Sequence, residues 1–160
     1  MTQQPRTLTI ERIAVRDDRL SLLVRVMPEE AHYTTPAFAR RLTRTAPTLP
    51  HHTCINDEGC TFACVMDHTS VPHALEHAII DEQVRLTAAA SATQADNGVD
   101  EADVPFLGTT EWLDERAGLA RVEVSFQDDL LALQALDAAT ALIRDCLSAQ
   151  DMNDQEDEHL

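Results

Sequence analysis

Leu20, Leu22, Val24 and Val26 alternate along Arg19–Met27, and this period of two constrains the fold more than any other feature of the chain. A strand with one apolar face has to bury that face against a second layer. The preceding run, Thr7–Val15, is also rich in β-forming residues and is separated from it by Asp17-Asp18, so the two read as a hairpin. A second pair is expected at Val104–Trp112 and Leu119–Phe126, where Val122, Val124 and Phe126 alternate with Arg121, Glu123 and Ser125. Thr61–Met66 reads as a further short strand. Three helices complete the pattern. The first starts at Thr35-Pro36, with Thr as N-cap, carries a stripe of Phe38, Ala39, Leu42 and Ala46, and stops before Pro47. The second is capped by Thr69 or Ser70 and runs to about Ala89. The third opens at Asp128 or Asp129 and runs to Leu147, with Leu131, Ala135, Ala138, Leu142 and Cys146 as its stripe. The order β-β-α-β-α-β-β-α predicts an α+β two-layer domain, an antiparallel sheet with helices packed on one face. It occupies 7–148, with residues 1–6 disordered, a mobile acidic loop at 88–103 and an acidic disordered tail at 149–160.

The chain of 160 residues is long enough for one such domain. Its six aromatic residues leave a mainly aliphatic core. Against 28 acidic residues stand 12 basic ones, a formal charge of −16. That balance disfavours nucleic acid and anionic membranes and suits cationic partners or metal ions. No apolar run approaches the roughly 20 residues that cross a bilayer, and Met1-Thr-Gln-Gln-Pro-Arg6 lacks the apolar stretch of a secretory signal. A cytoplasmic, reducing location is therefore expected, with Cys54, Cys60, Cys64 and Cys146 as thiols rather than a disulfide frame.

The chemistry is concentrated in one stretch. Five of the seven histidines and three of the four cysteines fall between His51 and His77. Within it, His73-Ala-Leu-Glu76-His77 begins the second helix. Two histidines four apart project from the same helical face, where both imidazoles can hold one zinc ion. Glu76 lies beside them, placed to take a proton from water that the metal activates; this is the inverted zincin order HxxEH. A third protein ligand is required, with one position left open. Cys54 is the first choice and His52 the alternative; Glu111 and Glu123 qualify if the second β pair borders the helix. Cys60 and Cys64 read as small core residues, with a separate structural zinc as the other reading. Cys146 reads as core, and His32 and His68 as solvated.

Several of these residues, taken in order, resemble one family. The segment Ala46-Pro-Thr-Leu-Pro-His-His-Thr-Cys54, then Gly59, Phe62, Thr69 and His73-Ala-Leu-Glu-His-Ala-Ile-Ile-Asp-Glu-Gln83, is similar to the amino-terminal domain of cyanophycin synthetase. Phe106-Leu-Gly-Thr-Thr-Glu111 resembles a turn of that domain, followed by Ala117-Gly-Leu119, the strand to Phe126 and a helix containing Ala138 and Ala141. The resemblance spans roughly residues 8–148. It implies an α+β domain that engages an arginine-branched polymer and, in some members, a metal-dependent hydrolytic site at the HxxEH helix. His73 and His77 would then be ligands, Glu76 the base and Asp81 an outer-shell partner where the family has Glu. Gly108 stands where the family's turn has arginine, and no polymer-synthesising domain is present. The same motif order occurs in S-ribosylhomocysteine lyase, whose later Cys-Gly segment this chain lacks.

The expectation is a small zinc-dependent hydrolase of peptide or isopeptide bonds, acting on a cationic or arginine-rich peptide or polymer and forming a homodimer. The alternative is a non-catalytic domain that binds a polymer or a protein, with a structural metal or none.

Overall fold

A computed structural model describes residues 4–54, 59, 61–93 and 105–157. Its sheet has four strands, β1 (Thr7–Val15), β2 (Arg19–Met27), β3 (Gly108–Asp114) and β4 (Leu119–Ser125), in the order β1-β2-β4-β3 with every pair antiparallel. Leu20, Leu22, Val24 and Val26 are at most 1% exposed and face Val122 and Val124 of β4 on the same side of the sheet. The period of two read from β2 is the buried face. Three helices cover that face: α1 (Pro36–Thr45), α2 (Val71–Thr93) and α3 (Asp129–Asp157). α2 packs on β3 and β4, α3 on β1 and on α2, and α1 on α3. The architecture is α+β, as expected. No helix among the described residues is long and apolar enough to cross a membrane.

α1 begins at the expected cap, Thr35, whose hydroxyl accepts from Phe38 N. Four other expectations are corrected. Thr61–Met66 is not a strand: Phe62–Cys64 forms a 3-10 turn, and Phe62, Val65 and Met66 are buried together. Their i, i+3, i+4 spacing is helical, and a strand would have split them between two faces. The segment expected as a loop from residue 88 is helical through Thr93, as its run of alanines favours; residues 94–104 lie outside the described residues. α3 continues past Leu147 into the segment expected as a tail. Asp151 pairs with Arg6 at 2.9 Å, and Gln150 is buried and donates to Thr35 Oγ1. Within α3 the buried stripe is Ala132, Ala135, Leu136, Ala139, Ile143, Cys146 and Leu147 rather than one containing Leu131, Ala138 and Leu142. Ala135 and Cys146 belong to both; the apolar residues spread round this helix leave its phase to the packing.

The first three turns of α2 are buried almost all round, including Glu76, His77, Asp81 and Gln83. One side meets the sheet and α3; the other lies under the segment that carries the turns Leu49–His51 and Phe62–Cys64. Polar groups so enclosed require partners, and those partners define the site.

Candidate metal centre

Ser70 opens α2, its hydroxyl accepting from His73 N at 3.3 Å, and Pro72 occupies the first turn, where the missing N–H is no loss. His73 and His77 then stand one turn apart, with their Nε2 atoms separated by 3.2 Å. Cys54 enters from the loop, and its Sγ lies 3.5 Å from His73 Nε2. The ligand atoms of Cys54, His73 and His77 all lie within 4.8 Å of one another. Around a tetrahedral ion with bonds of about 2.0–2.1 Å to nitrogen and about 2.3 Å to sulfur, neighbouring donors sit about 3.3–3.4 Å (N to N) and about 3.5–3.6 Å (N to S) apart. The separations of His73 Nε2 from His77 Nε2 and from Cys54 Sγ match that arrangement within about 0.2 Å, so this group could hold a metal ion.

The hydrogen bonds behind the rings support the same conclusion. Thr69 Oγ1 lies 2.8 Å from His73 Nδ1. His52 Nε2 lies 2.9 Å from Asp81 Oδ1, and His52 Nδ1 lies 3.4 Å from His77 Nδ1. A carboxylate only accepts, so His52 donates through Nε2 and is left with an acceptor at Nδ1, towards which His77 Nδ1–H is directed. His77 Nε2 is then bare, and His73 Nε2 is bare when its Nδ1–H donates to the Thr69 hydroxyl. The two Nε2 atoms, 3.2 Å apart, can share a cation when both are bare, and are joined by a hydrogen bond when His73 Nε2 carries the proton. Phe62 closes the back of the site, stacked on the His77 ring with centroids 4.2 Å apart and edge-on to His73 at 5.4 Å.

Burial depresses the pKa of His77 to about 3, with smaller contributions from neighbouring His73 and His52, and burial lowers His73 as well. The imidazoles are held neutral, the form that binds metal. Burial raises Glu76, only partly opposed by the Thr110 hydroxyl that donates to its Oε2. Burial would also raise Asp81, but hydrogen bonds from His52 and Thr48 outweigh it and leave Asp81 below its usual value. Thr48 Oγ1 donates to Asp81 Oδ1 at 2.7 Å.

Cys54, His73, Glu76 and His77 line one cavity of about 1180 Å³, which extends along α2 past Ile80 and Val84 and is bounded opposite by Pro105–Thr110. Glu76 is pinned from the sheet side by Thr110 and by Gly108, where a Cβ would fall 2.4 Å from Glu76 Oε1.

Of the residues singled out in the sequence, Cys54, His73 and His77 come together, with Glu76 on the wall of the same cavity. Asp81 reaches His77 only through His52. His52 itself is outside the cluster: its two ring nitrogens face Asp81 and His77. Glu111 pairs with Arg121 at 2.7 Å and Glu123 lies 3.9 Å from Arg19, both away from the centre. Glu111 points to the opposite face of β3 from Thr110, as strand alternation dictates. Cys146 is a fully buried core thiol, raised to about 12 first by burial and then by Asp145. Cys64 is disulfide-bonded rather than a thiol, and Cys60 lies outside the described residues. His32 is not solvated but 1% exposed, beside Trp112 with ring centroids 5.2 Å apart, while His68 pairs with its neighbour Asp67. The supporting roles of Thr48, Phe62 and Thr110 were not read from the sequence. Only Thr69 carried a local signal, as a candidate cap directly before the motif.

In comparisons with known proteins, the chain matches no family model, no curated protein and no solved structure.

Proposed function

We propose that the chain is a zinc-dependent hydrolase of peptide or isopeptide bonds, with Cys54, His73 and His77 as the metal ligands and Glu76 as general base. The observation that carries this reading is the placing of Glu76 on the wall of the cavity that the three donors line. Three protein donors from cysteine and histidine suit zinc and leave one position for water or substrate. Zinc bound there would polarise a carbonyl and lower the pKa of water from 15.7 towards about 7.

The chain's own groups have separate tasks. Thr110 holds Glu76 Oε2 by donating to it, leaving Oε1 to accept a proton from water as the water adds to the carbonyl carbon. Glu76 then returns that proton to the departing nitrogen. Its raised pKa brings it closer to the neutral range, where a carboxylate both takes and gives a proton effectively. Thr69 and the His52–Asp81 pair fix which nitrogen each ligand histidine presents. The similarity to the amino-terminal domain of cyanophycin synthetase favours the same chemistry, with isopeptide-linked polymers among the substrates to be tried.

The test uses protein purified without a polyhistidine tag. About one zinc per chain is expected, retained in Glu76→Gln and lost in the double variant His73→Ala, His77→Ala. Glu76→Gln should abolish turnover of a peptide and β-aspartyl isopeptide panel that the native protein cleaves. Native-like turnover in Glu76→Gln, or no zinc uptake by the native chain, would overturn the proposal.

A further inference from the structure

The cavity that holds the proposed metal centre also contains an unused strand edge. β3 is the terminal strand of the sheet, hydrogen-bonded among the described residues to β4 alone. Its parity is fixed by Ser125 N, which donates to Leu107 O at 2.8 Å; Leu107 and Ser125 are therefore a hydrogen-bonded pair. Two residues further on, Thr109 pairs with Glu123 in the same way, and the backbone groups of Gly108 and Thr110 between and beyond them turn away from β4. These same two residues contact Glu76, Gly108 through its bare Cα and Thr110 through its hydroxyl. The outward N–H and C=O groups of the edge thus lie beside the proposed general base.

The rest of the cavity suits side chains of one character. Beyond Glu76, Ile80 and Val84 follow at successive turns of α2, and Phe106 and Leu107 line the cavity from the approach to β3. Val84 is 51% exposed and Leu107 69% exposed, large apolar groups left uncovered within a cavity. Glu76 is the only carboxylate among the described lining residues. From Glu76 to Val84 the helix rises about 12 Å, at 1.5 Å per residue. An extended chain covers that distance in three to four residues at about 3.3 Å each. At about 1180 Å³ the cavity exceeds the roughly 300–1,000 Å³ of an ordinary small-molecule site.

We infer that the substrate is an extended peptide segment of three to four residues that pairs with the outer edge of β3 at Gly108 and Thr110 and lays apolar side chains against Ile80, Val84, Phe106 and Leu107. Edge pairing reads backbone, and the groove reads side chains at alternate positions. The inference rests on the hydrolase reading, in which the bond presented at the end of this edge is the one cleaved.

The experiment uses N-acetyl-trileucine hydroxamate, a triarginine analogue, and three trileucine analogues each N-methylated at one backbone amide. Dissociation constants are measured by calorimetry on the zinc-loaded full chain and on its Val84→Glu variant. N-methylation at the residue paired with the edge should weaken binding about tenfold, the effect of one lost hydrogen bond plus steric exclusion. Val84→Glu should weaken trileucine hydroxamate by a similar factor and leave acetohydroxamic acid unaffected; position 84 is half exposed, so the variant folds. Equal binding of all three N-methylated analogues and the parent would overturn the edge pairing, and tighter binding of triarginine than trileucine would overturn the apolar groove. Failure of the parent reading is separable: if the chain takes up no zinc, the hydrolase proposal falls, and the same series made as plain amides still tests the edge by the same criterion.

Discussion

Replacing Gly108 by alanine should disable the proposed base without disturbing the proposed metal ligands. A Cβ at this position would lie 2.4 Å from Glu76 Oε1, 2.5 Å from Cγ and 2.6 Å from Cδ. Non-bonded carbon and oxygen atoms settle at about 3.5 Å or more, so the carboxylate end must retreat by about 1 Å. The atoms met belong to the flexible end of a glutamate, so the side chain moves and the backbone of α2 stays. Thr110 then loses its acceptor, because its bond to Oε2 depends on the present position of the carboxylate. A misplacement of about 1 Å at a reacting group lowers rates by about 100-fold, which corresponds to about 2.7 kcal/mol of barrier. The assay is kcat/KM on a substrate cleaved by the native protein, alongside zinc content and the thermal midpoint. The expected result is a fall of about two orders of magnitude in kcat/KM, one metal retained, and a midpoint lowered by only a few degrees. Native kcat/KM in Gly108→Ala would refute the reasoning, as would loss of metal, because either result would mean that Gly108 does not act through Glu76.

Three other outcomes follow from the same geometry. His52→Phe and Asp81→Asn should each weaken zinc binding by about 10–100-fold in a chelator competition without unfolding the chain, since they support His77 from behind; unchanged affinity in both would remove the supporting role. In metal-free protein, His77 titrates near 3 when folded and near 6.5 when unfolded, so between these values the unfolded chain binds more protons. Stability from this group is complete above about 6.5 and falls as the pH drops towards 3, by on the order of 5 kcal/mol at the usual 1.4 kcal/mol per unit. His73 acts in the same direction, whereas Glu76, raised by burial, contributes most below its ordinary value and loses that contribution as the pH rises. Urea midpoints from pH 7 to 4 should therefore decline more steeply in the native chain than in His77→Phe, and parallel slopes would count against a neutral buried His77. Finally, Gly118 has φ +67° and a Cβ there would fall 2.0 Å from the Val26 carbonyl oxygen, so Gly118→Ala should destabilise by about 2 kcal/mol or more in urea titration.

The sheet and the motif were legible for opposite reasons. β2 carries its pattern within nine residues, because alternation is a local property and one face of the strand is fully buried. The HxxEH spacing is equally local, since one turn of helix brings His73 and His77 onto one side. The third donor was harder: Cys54 and His52 lie two residues apart in an irregular loop, and the loop path alone decides which reaches the cluster. That path is set by Phe62 N donating to the His52 carbonyl and by the Thr53–Thr61 bridge, contacts between positions with no shared periodicity. Thr110 and Gly108 were illegible for a stronger reason. They stand 34 and 32 residues beyond Glu76 in the chain and meet it only because β3 lies at the sheet edge beside α2. Pattern reading sees faces, not which face meets which.

The cost of the buried polar cluster supplies the last argument for a working site. Glu76, His77 and Asp81 occupy buried positions on a helix where leucine or alanine would pack without any requirement for partners. Burying each without a hydrogen bond would cost about 1–3 kcal/mol, and the fold answers with partners from two separate segments: Thr48 and His52 either side of one turn, and Thr110 on β3. The arrangement also brings Cys54 Sγ and the ring nitrogens of His73 and His77 within 4.8 Å of one another. That grouping, next to a carboxylate raised by burial and at the wall of a large cavity, is what the proposed metal-dependent site requires of its protein.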